Sequence, residues 1–227
     1  MPRRSSFVAE TAAVFLKDWR TELRTRYALN AVALFAVTTL VVVSLGLGPL
    51  GAVGGDRASI LPVLLWLILL FAASAGLPRS FAHEEETHTA TALRLAARPV
   101  AVFCGKLLYS LTLILAIEAL VAPLFAAMLQ LPVESPGRLV AALAVGGYGL
   151  AAASTLVAAI VAQARGKGAL FAVLAFPVLI PVLLLAMAAT RTAVGGGAED
   201  GALLQALLYD ASVTVGGLML FPPIWNP

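Results

Sequence analysis

The chain has 227 residues, 61% of them hydrophobic and only 12% charged, with a formal net charge of +3 and a mean hydropathy of +0.97. A soluble domain cannot wet that much apolar surface, so lipid is the solvent for most of the chain. The basic balance does not mark a nucleic-acid surface, because the lysines and arginines flank apolar runs where headgroups lie, and a single cysteine excludes an internal disulfide.

A bilayer core about 30 Å thick needs roughly 20 apolar helical residues. Six runs qualify: 29–49, 60–78, 103–129, 138–163, 169–190 and 203–222. In hydrocarbon each must be helical, since an open strand leaves backbone groups unpaired, and no period-two alternation suggests a barrel. The expected fold is all-α and polytopic, with six transmembrane helices in one domain, 1–227, behind an amphipathic interfacial helix. The first run begins too late and ends in the wrong residues for a secretory signal.

Orientation follows from Lys and Arg. Six stand in the amino-terminal segment (Arg3, Arg4, Lys17, Arg20, Arg24, Arg26), four after the second run (Arg79, Arg94, Arg98, Lys106) and two after the fourth (Arg165, Lys167). The three remaining loops hold one each, Arg57, Arg138 and Arg191. Positive loops stay inside, so both termini are expected in the cytoplasm.

In chain order, residues 5–27 read as an interfacial helix with Val8, Ala12, Phe15, Trp19 and Leu23 at three- and four-residue intervals. Trp19 would sit at headgroup depth, with Arg20, Arg24 and Arg26 reaching phosphates. Such a helix serves either as a topology anchor or as an elbow leading into the first span. That span ends at Gly46, Gly48 and Pro49, and the second carries Pro62 in its first turn.

Between the second and third spans lies the longest polar inner segment, 79–100, with both histidines and three consecutive glutamates. Ser80 is placed to cap a helix whose first turn holds Glu84, Glu85 and Glu86, and Pro99 ends it. A short helix along the membrane is expected, anchored by Phe81, Leu93 and Leu95. An acid run is often only a solvated face, but here it interrupts a basic loop, which points to recognition of an aqueous partner. His83 and His88 fall about 140° apart on a helix and share no face, so no metal site is expected.

The third span buries Glu118 near its middle, where an ionisable group is either functional or a carboxyl that joins two helices; Pro123 follows one turn later and should kink it. The fourth carries Ala142, Gly146 and Leu150 on one stripe with Gly147 and Ala151 beside it, which suits close packing. Pro177 and Pro181 loosen the fifth. Asp210 is the second buried acid, in the sixth, and Phe221 to Trp225 read as an aromatic interface anchor.

Nothing assembles a catalyst. Ala73-Ser74-Ala75-Gly76 lacks the leading glycine of a nucleophile elbow. His83 to His88 has one residue too many for a zinc protease motif, and Gly166-Lys167 is not part of a phosphate-binding loop. If ATP drives this protein, another chain hydrolyses it. No histidine falls in a span, so haem iron, if handled, is held elsewhere.

Several stretches together resemble one family. They are the basic elbow KDWRTELRTRY, a first span ending in LGP, the loop LPRSFAHEE, ARPVAVFCGKL opening the third span, and ARGKGALFAVLAFPVLIPVLLL with its two prolines. The chain is similar over nearly its whole length to the haem exporter protein B family, the permease subunit of the ABC-type complex of cytochrome c maturation. The resemblance implies an ABC-2-type exporter permease in the bacterial inner membrane, with no cofactor of its own and ATP bound in a partner ATPase. It also implies a second copy of the chain, a haem-handling membrane subunit, a small single-span subunit and haem in the complex. The loop would then be the coupling helix seated in the ATPase, through Phe81, Glu84, Glu85, Glu86, His88, Leu93 and Arg94. HEEETHTA departs from the family's commoner Asp- and Gly-containing segment there. Two other readings stay open: a permease for another amphiphile such as a drug or lipid, and a scaffold that recruits the haem-handling subunit and moves nothing.

Overall fold

The computed structural model describes residues 6–47, 57–76, 84, 90–162, 167–195 and 201–225. Among the described residues there are eight helices and no strand: α1 (Phe7–Thr25), α2 (Tyr27–Leu47), α3 (Arg57–Gly76), α4 (Ala90–Ala96), α5 (Pro99–Leu129), α6 (Pro136–Ala162), α7 (Lys167–Ala193) and α8 (Ala202–Trp225). Five of them, α2, α5, α6, α7 and α8, are long and apolar enough to cross a membrane. The sixth expected span is α3, which is apolar over Ala58–Ser74. The chain is a multi-pass membrane protein, and each expected span lands on one helix.

The helices start one to four residues ahead of their apolar runs because the first turn tolerates residues that the span interior does not. Pro99 opens α5, where a missing N–H costs nothing. Pro123, Pro177 and Pro181 lie inside helices that run on through them.

The centre of the bundle is α6. It packs most extensively on α7 and α8 and also on α5, and 78% of its apolar window is buried, against 17% in α2 and in α8. The cause is its composition. Alanine and glycine fill it, and the stripe Ala142, Gly146, Leu150 with Gly147 and Ala151 beside it is buried throughout, so large side chains of neighbouring helices press on its backbone. Trp66 of α3 lies over Gly146, Glu118 of α5 over Gly147 and Asp210 of α8 over Gly149. Trp66 is fixed there by donating from Nε1 to Thr190 on α7 at 2.8 Å.

Outward-facing positions of the outer helices, among them Leu34, Val42, Leu184, Leu208 and Met219, are exposed apolar residues. In water that surface would aggregate; in a bilayer it is the lipid face. Hydroxyl groups join the helices: Thr155 donates to Ser110 at 3.0 Å, Tyr148 meets Thr214 at 2.8 Å, and Tyr209 donates to the Val178 carbonyl at 3.1 Å.

One expectation about faces agrees with the structure and one is corrected. The apolar stripe of α1 is turned away from the protein at Val8, 71% exposed, and Leu23, 49% exposed, as an interfacial helix requires. The residues Phe221 and Trp225 are not an interface anchor but are 0% and 2% exposed inside the bundle.

Candidate functional site

The face of α1 that meets the protein is acidic. Glu10, Val14, Asp18 and Glu22 follow one another at four-residue intervals, so they stack along one side of the helix. Opposite them runs the first part of α5, which α1 packs against more than any other helix. The backbones come close because Gly105 has no side chain. A Cβ there would stand 2.7 Å from the Val14 Cβ and 2.9 Å from the Thr11 carbonyl oxygen.

Each acid of the stripe grips something different. Glu10 accepts from the backbone N–H of Arg98 at 3.1 Å, which places a carboxylate at the N-terminus of α5, where the helix dipole favours it. Glu22 does the same for α2, accepting from the Leu29 N–H at 2.8 Å, while its other oxygen accepts from the Tyr109 hydroxyl at 3.3 Å. It therefore spans the break between α1 and α2, where Arg26 takes a left-handed conformation with φ of 51°. Asp18 belongs to a larger cluster.

Among the described residues that cluster holds four charges. Lys106 of α5 is completely buried, and its ammonium donates to Glu84 at 2.9 Å and to Asp18 at 3.1 Å. Lys17 pairs with the same Glu84 oxygen and with Asp18 at 3.3 Å. Among the described residues two cations face two anions. Removing an ammonium from water costs several kcal/mol unless such partners compensate. Burial by itself pushes the Glu84 carboxyl up, but the charge of Lys106 and hydrogen bonds from Lys17 and Lys106 outweigh it and hold the group below its usual range. For Lys17, burial pulls down, and the charges and hydrogen bonds of Asp18 and Glu84 more than offset it, leaving the amine above its usual range. Both stay ionised at neutral pH.

The cluster thus ties three parts of the chain together: α1, the loop residue Glu84 and the first turns of α5. Glu84, read in the sequence as part of an outward acid run, points inward and is 2% exposed. Leu93 packs on the core, whereas Leu95, expected as an anchor, is 87% exposed. Arg94 sits over the ring of Trp225. Phe81, His83, Glu85, Glu86 and His88 lie outside the described residues. Of the elbow residues, Trp19 stacks with Phe15 at 6.4 Å and meets the Tyr109 edge at 6.3 Å, and Arg20, Arg24 and Arg26 are exposed.

Lys106 was missed as a site residue. It was counted among the loop cations that set orientation, yet it stands inside an apolar run, and a lone lysine there was the available signal.

The other two candidates, Glu118 and Asp210, are 4% and 2% exposed. Glu118 lies eleven residues before the end of α5 and Gly147 eleven residues after the start of α6, which puts both about 16 Å below that end of the bundle. One oxygen of each carboxyl, Glu118 Oε1 and Asp210 Oδ2, has no hydrogen-bond partner among the described residues. The two acids approach α6 from different helices, at glycines two residues apart. Among the described residues no group of three or more His, Cys, Asp or Glu is arranged to hold a metal ion.

Residues 9–223 match the family model described as CcmB protein. The chain is 30% identical to the heme exporter protein B of Paracoccus denitrificans over 92% of its own length and 94% of that relative. It is 29% identical to that of Rhodobacter capsulatus over the same shares, and 27% identical to that of Bradyrhizobium diazoefficiens over 84% of this chain and 85% of the relative.

Proposed function

This chain belongs to the CcmB protein family, and from that premise we propose that it is the transmembrane subunit of an ABC-type complex of cytochrome c maturation. The family supports a role in haem export. In the finer reading, a cytoplasmic ATPase binds segment 79–100 on the inner face of the bacterial inner membrane, and its nucleotide cycle displaces that segment. The permease then rearranges, and haem, or a haem-loaded chaperone, is released to the other side. Haem is cargo here. A second copy of the chain, a haem-handling membrane subunit and a small single-span subunit complete the assembly.

The observation that carries this reading is the buried cluster of Glu84, Lys106, Asp18 and Lys17. A loop that served only to join two spans has no need of a desolvated, charge-balanced joint to α5. A loop that must pass a displacement into the bundle does, because Lys106 makes Glu84 and α5 move together. Through α5 the displacement reaches Glu118, which rests on the backbone of α6 at Gly147. The elbow α1, clamped through its acidic stripe, keeps its apolar stripe and exposed arginines for lipid and headgroups.

The test separates the joint from the docking surface. Glu85→Lys with Glu86→Lys keeps Glu84, Lys106, Asp18 and Lys17 and should abolish stimulation of the partner ATPase while the chain stays stable in the membrane. Unchanged stimulation and unchanged maturation of c-type cytochromes would overturn the coupling role of the loop. Maturation that persists without any stimulation would mark the chain as a scaffold.

A further inference from the structure

The loop has a second hold on the bundle, at its other end. Arg94 of α4 places its guanidinium carbon 5.1 Å from the centre of the Trp225 ring. Trp225 stacks on Phe221 at 5.3 Å with 19° between the planes, and Phe221 meets Phe103 of α5 at 5.4 Å. The three rings are between 0% and 2% exposed. Room for them comes from Gly217, where a Cβ would stand 2.5 Å from the Phe103 ring. A cation over an indole face gains more as the pair leaves water; here the ring is buried and Arg94 is half-buried.

The backbone around these rings is unusual. Pro222 and Pro223 separate Phe221 from Trp225 within α8, and neither supplies an N–H to the helix ladder. The last turn of α8 therefore lacks two ladder hydrogen bonds, and its ring contacts with Arg94, Phe221 and Phe103 help to hold it. One end of α8 is thus attached to the loop, and Asp210 of the same helix rests on α6 at Gly149.

We propose that the Arg94–Trp225–Phe221 stack is a strut carrying displacement of the loop into α8, in parallel with the Lys106 cluster that carries it into α5. The proposal rests on the reading that an ATPase drives this loop. Loop motion then reaches α6 from two sides at once, through Glu118 at Gly147 and through Asp210 at Gly149. A single lever would tilt α6 against one neighbour; two levers shift both of its partners together.

The experiment uses the complex reconstituted from unlabelled partners and this chain carrying fluorinated tryptophan. Its three tryptophans, Trp19, Trp66 and Trp225, give separate fluorine resonances, and Trp225→Phe assigns the one of interest. A non-hydrolysable ATP analogue should shift the Trp225 resonance and leave that of Trp66, locked to Thr190, in place. Arg94→Gln should abolish the shift and raise ATP consumed per cytochrome c matured by about fivefold or more, since hydrolysis continues while one lever is cut. A Trp225 resonance that ignores nucleotide in a complex hydrolysing ATP would remove the strut and leave the coupling loop standing, as would an Arg94→Gln complex with the wild-type ratio. Failure to find any ATPase partner would remove both.

Discussion

Replacing Lys106 with methionine is the sharpest single perturbation of the joint. The side chain stays unbranched and one atom shorter, and loses its charge in a position with no solvent. Among the described residues, Asp18 and Glu84, with side chains only 10% and 3% exposed, then share Lys17 as their cation. Stranding a buried charge in this way costs about 3–5 kcal/mol, and the lower end applies because Lys17 still serves one carboxylate. Glu84→Gln should cost less, since Lys106 keeps Asp18 and Lys17, 44% exposed, turns to water. The double variant leaves Lys17 with Asp18, a balanced pair, so it should lose less than the two single losses together, with a coupling of about 1–3 kcal/mol. Thermal unfolding of the purified protein in mild detergent, at one pH and salt, reads all three. Additive losses, or a Lys106→Met loss under about 0.5 kcal/mol, would refute the idea of one coupled cluster.

Gly146→Ala should destabilise by about 1–3 kcal/mol, because the new methyl would stand 2.1 Å from the Trp66 ring, which its bond to Thr190 holds in place; Gly216→Ala, with nothing within 4 Å, should be neutral or slightly stabilising in the same thermal assay. Stability should also report the cluster through pH. Glu84 has a lowered pKa, so its contribution is complete above its unfolded value of about 4.3 and is lost as pH falls through the still lower folded value. Lys17 has a raised pKa, so its contribution is complete below about 10.4 and is lost as pH climbs past the folded value. Melting temperature should therefore be flat between about pH 5 and 10 on account of these groups, and Glu84→Gln should soften the acid limb; an unchanged acid limb would contradict the assignment. Glu118→Gln keeps the shape of the side chain, so undiminished cytochrome c maturation would assign the carboxyl to packing against Gly147, and lost maturation with normal melting would assign it to function.

The six spans were readable because apolar length is a local property, and every run became a helix within a few residues of its expected ends. The packing of α6 was readable for the same reason, since small residues at four-residue spacing have one use in a membrane. What was not readable depends on partners distant in sequence. The stripe Glu10, Val14, Asp18, Glu22 is as regular as the apolar stripe beside it, but a search for apolar periodicity passes over acids. Partners far along the chain, among them Lys106, 88 residues from Asp18, and Tyr109, 87 residues from Glu22, make that stripe the buried face. Trp225 and Phe221 have the composition of an interface belt and became core because Phe103 and Gly217 make a slot for them. Glu84 looks in the sequence like its two acidic neighbours, and what makes it a buried partner is Lys106, 22 residues away.

The central claim is that a partner ATPase drives this chain through segment 79–100. Its most direct test is copurification of the intact chain from native membranes in mild detergent, with associated proteins identified by mass spectrometry and bound haem read by absorption. The account predicts an ABC-type ATPase together with a haem-bearing membrane subunit, both retained through purification. Absence of any ATPase, under conditions that keep other membrane complexes whole, would contradict it.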